Sequence, residues 1–122
     1  MHSVSLDRAR KLLEVRMSGF VSLEDARAAA EELQNAIRSL GADAGHHLTL
    51  YDLSEVPIAP AETMALLQDT FANPRFRGLW ARKVAFVTSS ALGRLQLRRL
   101  ERAEGELEIF DDRQSALAWL LA

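Results

Sequence analysis

The side chains most able to do chemistry in this sequence are cations interleaved with aromatic rings. Residues 75–83 read RFRGLWARK, where Phe76, Leu79 and Trp80 alternate with basic side chains and follow no clear period. This pattern is typical of a bilayer interface, where rings lie at headgroup depth and each cation near an anionic surface contributes about 1 kcal/mol. Alternatively, the apolar side chains fold back over the sheet and the arginines keep the segment soluble. An exposed contiguous apolar patch would favour the binding interpretation over this alternative. The predicted ligand- or membrane-binding residues are Phe71, Arg75, Phe76, Arg77, Leu79 and Trp80.

Charge is distributed unevenly along the chain. The formal net charge is -2, but residues 75–102 contain eight basic side chains and one acidic side chain. Arg94, Arg98 and Arg102 are four apart, which predicts that they share one face of a helix while the leucines lie mainly on the other. Three interpretations stay open: a solvated face, a surface for an acidic protein or second subunit, and a site for phosphate-bearing ligands or nucleic acid. The negative net charge and the lack of a recognisable reading motif disfavour nucleic acid.

A cluster of hydroxyl groups falls where a predicted parallel strand passes into a helix. Thr88, Ser89 and Ser90 occupy this junction, and open α/β sheets usually bind their ligands at such a position. With Arg94 one turn later, these hydroxyls and the free backbone N–H groups could hold an anion. Helix capping explains the same residues, and no glycine-rich phosphate loop accompanies them.

Catalytic and metal-binding arrangements are weak. His47, Asp52 and Ser54 are the residue types of a hydrolytic triad, but His47 and Asp52 lie on one predicted strand segment and Ser54 has no nucleophile-elbow context. His46 and His47 are adjacent, so in an extended chain they point to opposite faces. The paired Asp111 and Asp112 precede a helix, where capping is the expected role. We therefore predict no catalytic residues, no metal site, no cofactor and no enzymatic activity.

Hydrophobic periodicity predicts the elements that position these residues. The order is β-β-α-β-α-β-α-β-α, and strands that alternate with helices imply crossover connections and a mostly parallel five-stranded sheet, flanked by four helices, with the first strand as an antiparallel edge. We predict a single α/β sandwich domain over residues 1–122. The predicted strands are residues 3–6, 12–18, 48–53, 83–88 and 106–110, and the predicted helices are residues 22–40, 61–72, 89–103 and 112–121.

Composition bounds the class of protein. The chain has 122 residues, is 48% hydrophobic and contains no cysteine, which excludes disulfides and thiolate chemistry. No stretch of 18 consecutive apolar residues occurs, and the start lacks the apolar run of a signal peptide. We expect a cytoplasmic protein that could lie at the inner face of the membrane.

The element order and three segments resemble the STAS superfamily, specifically its SpoIIAA-like branch, over nearly the whole chain. These segments are LTLYDLSEV, VAFVTSSALGRLQLRRL and IFDDRQSALAWL. The resemblance implies an α/β sandwich that binds a partner or a small ligand without enzymatic activity, and it relates the chain to lipid-carrier domains. Anti-sigma-factor antagonists of this superfamily carry an aspartate and a phosphorylatable serine where this chain has Pro60 and Ala61. Ala61 has no hydroxyl, so a serine switch there is not expected, although Ser54 and Thr63 lie close by in sequence.

Two functions stay open at this level. The first is a non-enzymatic binding module, expected to be a homodimer, for a lipid headgroup, a membrane surface or a small apolar ligand. The second is a regulatory protein–protein interaction domain akin to the anti-sigma-factor antagonists but without their phosphorylatable serine.

Overall fold

Five strands form one sheet whose spatial order follows the chain, β1-β2-β3-β4-β5. In the computed structural model, which describes residues 1–102 and 104–122, β1 pairs antiparallel with β2 and the other three pairs are parallel. The predicted α/β class and element order are confirmed. The strands are β1 (His2–Asp7), β2 (Leu12–Ser18), β3 (Leu48–Glu55), β4 (Lys83–Val87) and β5 (Glu106–Phe110), and the helices are α1 (Leu23–Arg38), α2 (Ala61–Ala72), α3 (Ala91–Arg98) and α4 (Arg113–Leu120).

Alternation along the strands gives the sheet two apolar faces. The front face carries Val15 of β2 and Phe86 of β4, and α1, α2 and the buried Leu97 of α3 pack against it. The back face carries Leu50 of β3 and is covered by α4 through its buried apolar side chains. The short 3₁₀ helix at Pro74–Leu79 also lies on the front side, before β4 begins.

The caps follow the local chemistry of the sequence. Ser22 begins α1, and its hydroxyl accepts a hydrogen bond from the backbone N–H of Asp25 at 3.1 Å. Ser90 and Asp112 do the same for α3 and α4, accepting from the third residue after each cap. Each side-chain oxygen satisfies a backbone donor that the first helical turn leaves free.

The end of α3 differs from the prediction. The helix ends at Arg98 rather than near residue 103, so the expectation that Arg94, Arg98 and Arg102 share a helix face is wrong. A tertiary interaction stops the helix: the side chain of Gln68 accepts from the backbone N–H of Glu101 at 2.9 Å and donates to its carbonyl at 2.8 Å. These bonds satisfy backbone groups that a longer helix would have satisfied within itself.

The leucines of α3 divide between the surface and the core. Leu92 and Leu95 are 59% and 54% exposed, while Leu97 is buried against the front-face core. Leu92 and Leu95 therefore contribute to the surface of α3, and Leu97 contributes to the core. Among the residues that the structure describes, no helix is both long enough and apolar enough to cross a membrane.

Candidate functional site

An apolar cavity of about 110 Å³ lies between the front face of the sheet and the layer formed by α1, α2 and the 3₁₀ helix. Strands supply its floor and helices its walls and roof. The side chains that define it include Val15, Ile37, Leu67, Phe71, Phe76 and Phe86.

The packing of α2 explains why the cavity exists. This helix buries only Thr63 near its start and Phe71 near its end. The hydroxyl of Thr63 donates to the carbonyl of Val21 at 3.1 Å, and the ring of Phe71 meets Phe86 edge-on, with the ring centroids 6.1 Å apart. Between these anchors α2 spans the cavity instead of filling it. Side chains around such a space have fewer dispersion contacts than those in a filled core.

The apolar residues of the segment 75–83 point inward, which is the alternative that sequence analysis left open. Trp80 is 6% exposed, and its indole N–H donates to the carbonyl of Thr70 at 2.7 Å. Phe76 and Leu79 are half-buried and line the cavity with Phe71 and Trp80. The fold thus brings together the four apolar residues predicted to bind a ligand.

The two arginines predicted with them lie outside the cavity. Arg75 is exposed, with its guanidinium 4.9 Å from the centroid of the Phe76 ring, and Arg77 forms an exposed ion pair with Glu104 at 3.4 Å. Neither is among the residues that surround the cavity. Contact of this segment with a membrane stays a prediction.

Arg102, predicted to face a partner or an anion from α3, instead lines the cavity. Its guanidinium donates to the carbonyls of Ala81 at 2.7 Å and Glu106 at 2.9 Å, and lies 5.7 Å from the centroid of Phe71. Burial lowers the pKa of Arg102 from its usual value. Gly105 allows this placement, because it has φ +84° and a Cβ there would lie 2.9 Å from the Arg102 guanidinium.

His47 is fully buried, which sequence analysis did not anticipate. Its Nδ1 accepts the backbone N–H of Gly45 at 3.1 Å, so a neutral ring carries its hydrogen on Nε2. Burial, followed by the charge of Arg102 and then by His46, lowers its pKa to about 4. The signal that could have revealed this position is strand alternation, since His47 lies two residues before Thr49 and four before Tyr51, which both line the cavity.

The hydroxyl cluster before α3 is occupied by structural bonds. Ser89 donates to the carbonyl of Ser54 at 2.8 Å, and Ser90 donates to the carbonyl of Pro57 at 2.7 Å while it caps the helix. Arg94 pairs with Asp111 of the same chain. These bonds account for the residues without an anion, so anion binding by Ser89, Ser90, Arg94 and Arg98 stays an untested prediction.

The three triad-like residues do not form a triad: Ser54 bonds Asp52, whereas the ring of His47 bonds the backbone of Gly45. Asp52 is buried on the opposite face from the cavity, where it accepts from Arg16 at 3.1 Å and from the Ser54 hydroxyl at 2.7 Å. Burial would raise its pKa, but the hydrogen bonds from Ser54 and Arg16 outweigh burial and lower it. Within residues 1–102 and 104–122, no three acidic or histidine side chains come close enough to hold a metal ion.

Comparisons with known proteins support the fold described above. No curated protein matches the chain. Among solved structures, it is similar to an uncharacterized protein with a SpoIIAA-like fold from Shewanella loihica, of the DUF3478 family, with a TM-score of 0.67 and 18% identity over 98% of this chain and 95% of that chain. That likeness shows the fold alone. The SpoIIAA-like family model matches residues 12–121, which cover most of the chain. Domains of this fold are typically non-enzymatic and often serve in regulation or binding, and this chain belongs to the SpoIIAA-like family.

Proposed function

We propose that this protein is a non-enzymatic binding module that takes up a small apolar molecule in the front-face cavity. The observation that carries the proposal is the cavity itself, about 110 Å³ of space surrounded almost entirely by apolar side chains. An engineered apolar cavity of about 150 Å³ binds benzene or xenon, so a space of this order accepts a ring or a short alkyl chain. A ligand would restore contacts that the empty cavity lacks.

The roof of the cavity supports uptake of larger molecules. Met64 and Leu67 are half-buried over the space, and α2 is anchored mainly through Thr63 and Phe71. Because few side chains would have to leave the core, outward movement of α2 and the adjoining 3₁₀ helix is the least costly way to enlarge the site. This is the sense in which the segment 75–83 takes part in binding.

Replacing either of two alanines of α1 with leucine tests the proposal. Ala30 on α1 lines the cavity, whereas Ala28 lies on the exposed side of the same helix. We expect Ala30→Leu to fill space and abolish binding of benzene or 1-hexanol, measured by calorimetry or ligand-detected NMR. Ala28→Leu is the control and should bind as the wild type does. Failure of the wild type to bind either probe, or equal binding by both variants, would contradict the proposal.

Protein–protein interaction is a second candidate, favoured by the exposed apolar side of α3. Leu92 and Leu95 are more than half exposed, and Ile58 is 50% exposed in a loop held against α3. The side chain of Gln96 holds this loop by bonding both backbone groups of Ala59, at 3.1 and 2.8 Å. Exposed apolar groups of this kind are common in interfaces.

The predicted homodimer supplies the test of this second candidate. Sedimentation velocity of the wild type should show a dimer, and the double substitution Leu92→Asp and Leu95→Asp should convert it to a folded monomer. The matched control is Leu121→Asp, since Leu121 is 45% exposed beyond α4. A monomeric wild type, or a dimer that persists in the double variant, would rule out self-association through α3.

A further inference from the structure

The guanidinium of Arg102, a residue that lines the cavity, has one N–H group, at Nε, that no described residue accepts. Its two terminal nitrogens each donate to a backbone carbonyl, of Glu106 and of Ala81. Its Nε is buried and has no hydrogen-bond partner among residues 1–102 and 104–122. Buried N–H groups are nearly always paired, and more so when they carry charge, so this atom lacks an acceptor.

The charge of Arg102 is also unmatched by a carboxylate. Of the ion pairs between described residues, none includes Arg102. Glu104 is the acidic residue whose charge acts on it, but the Glu104 carboxylate is exposed and bonded to Arg77. The carbonyls of Ala81 and Glu106 carry only partial charge. A buried cation with carbonyl partners alone is a favourable place for a small anion.

Two further polar side chains interact electrostatically with the guanidinium. The side chain of Tyr51 lines the same cavity, and it is close enough to Arg102 for each to perturb the pKa of the other. The Nε2 of His47 is the other buried side-chain atom without a partner in the described part of the chain, and the charge of Arg102 acts on this ring as well. The wall of the cavity therefore offers the positive charge of Arg102 and the side chain of Tyr51, whereas His47 is not among the residues that line the cavity.

We infer that the molecule taken up by the cavity is an amphiphile with a carboxylate head, whose oxygens bond the free Nε edge of Arg102 while its apolar body fills the space beside Phe71 and Phe86. The inference rests on the proposed function, since it names the chemical class of ligand for that cavity. A carboxylate matches the planar guanidinium edge, where Nε–H and a terminal N–H point the same way. A single cation balances a monoanion, so a phosphate dianion would keep an uncompensated charge in a buried site.

Matched probes separate the head from the body of the ligand. Hexanoate and 1-hexanol share an alkyl chain and differ in the head, while acetate supplies the head alone. We expect the wild type at pH 7 to bind hexanoate about tenfold more tightly than 1-hexanol, because a charge-assisted hydrogen bond is stronger than a neutral one. Acetate should bind more weakly than hexanoate, because it fills little of the cavity.

The variant Arg102→Met keeps an unbranched apolar stem that ends near the position of Nε, and it removes the donors. It should lose the preference for hexanoate and retain binding of 1-hexanol. Arg99→Met is the control, since Arg99 is an exposed arginine near the end of α3, and it should keep the tenfold preference. If Arg102→Met does not fold, the Nε–H resonance of Arg102 in the wild-type protein replaces it: hexanoate should shift this resonance and 1-hexanol should not.

The possible outcomes separate the inferred carboxylate head from the proposed binding of an apolar molecule. Equal affinity of the wild type for the acid and the alcohol, or a preference that persists in Arg102→Met, would overturn the carboxylate head. Acetate binding as tight as that of hexanoate would show an anion site that does not use the cavity, and would also overturn the inference. If 1-hexanol binds and hexanoate binds no more tightly, the proposed function is retained and the carboxylate inference is overturned. If no probe binds, the proposed function itself fails.

Discussion

The two faces of the sheet solve the same packing problem in opposite ways. On the back face, α4 buries Ala116 and Leu120 completely against Leu50 and Ala85, which are themselves fully buried. On the front face, three helical segments enclose a cavity of about 110 Å³ that they do not fill. The back face is therefore densely packed, while the side chains of the front face lack contacts that a ligand could restore.

Buried polar side chains also differ in whether they have hydrogen-bond partners. The buried Asp52 on the back face has partners in Arg16 and Ser54, and the Nζ of the buried Lys83 donates to the carbonyl of Trp119 at 3.0 Å. Two buried side-chain atoms have no partner in the described chain, His47 Nε2 and Arg102 Nε, and Arg102 lines the front-face cavity. An unpaired buried donor on a residue of the cavity wall is consistent with the ligand proposed for the front face.

The largest expected effect is on the pH dependence of stability. His47 has a folded pKa of about 4 against 6.5 when unfolded, so the unfolded chain binds the extra proton first as pH falls. Stability should therefore be complete above pH 6.5 and decline toward pH 4 by about 3 kcal/mol. Urea unfolding across this range measures the decline. His47→Asn should flatten the profile and His46→Asn should not; an unchanged slope in His47→Asn would contradict the assignment.

The same urea unfolding experiments distinguish the contribution of Asp52 from that of His47. The pKa of Asp52 is lowered, so the stability it contributes is present above its unfolded value of 3.8 and is lost only as pH falls further. The stability that depends on His47 should therefore be lost at mildly acidic pH, and that which depends on Asp52 at strongly acidic pH.

A matched pair of valines tests the packing contrast directly. Val15 on the front face and Val87 on the back face are each 2% exposed, on strands of the same sheet. We expect Val87→Ala to cost about 2 to 3 kcal/mol, since it opens a new void in a filled core, and Val15→Ala about 1 kcal/mol, since Val15 already borders empty space. Equal losses in the free energy of unfolding would mean that the cavity is filled or collapsed in solution.

Removing the carboxylate charge from the back face should cost an intermediate amount. Asp52→Asn leaves Arg16 and Ser54 with a weaker acceptor, and the expected loss is about 2 kcal/mol. Thermal unfolding at pH 7 measures this loss, and the variant should also lose the stability change below pH 4. A variant as stable as the wild type would show that Arg16 and Asp52 are not paired in solution.

The smallest effects are expected for the exposed cations. Arg113 bonds Glu14 through two nitrogens at 2.6 and 3.0 Å, so Arg113→Ala should cost about 1 kcal/mol. Arg77→Ala should change stability by less than about 0.5 kcal/mol, because both members of its ion pair with Glu104 are largely exposed. A larger loss for Arg77→Ala than for Arg113→Ala would show that the segment 75–83 helps to hold the front face together.

Much of the architecture was predictable because it depends on neighbours in sequence. Two-residue alternation placed β2, helical spacing placed α2 over Ala61–Ala72 as observed, and the caps at Ser22 and Asp112 follow from short-range hydrogen bonds. These features involve residues within a few positions of each other, so the order of amino acids contains the information they need.

The site required contacts between residues far apart in the chain. Gln68 ends α3 by bonding Glu101, 33 positions away, and this releases Arg102 from the helix so that its guanidinium reaches the carbonyl of Ala81. Trp80 turns inward because the carbonyl of Thr70 accepts its N–H once α2 is in place. A local pattern names the residue types available for binding, but whether an aromatic ring faces solvent or a cavity is decided by the competing tertiary contacts that satisfy its polar atoms.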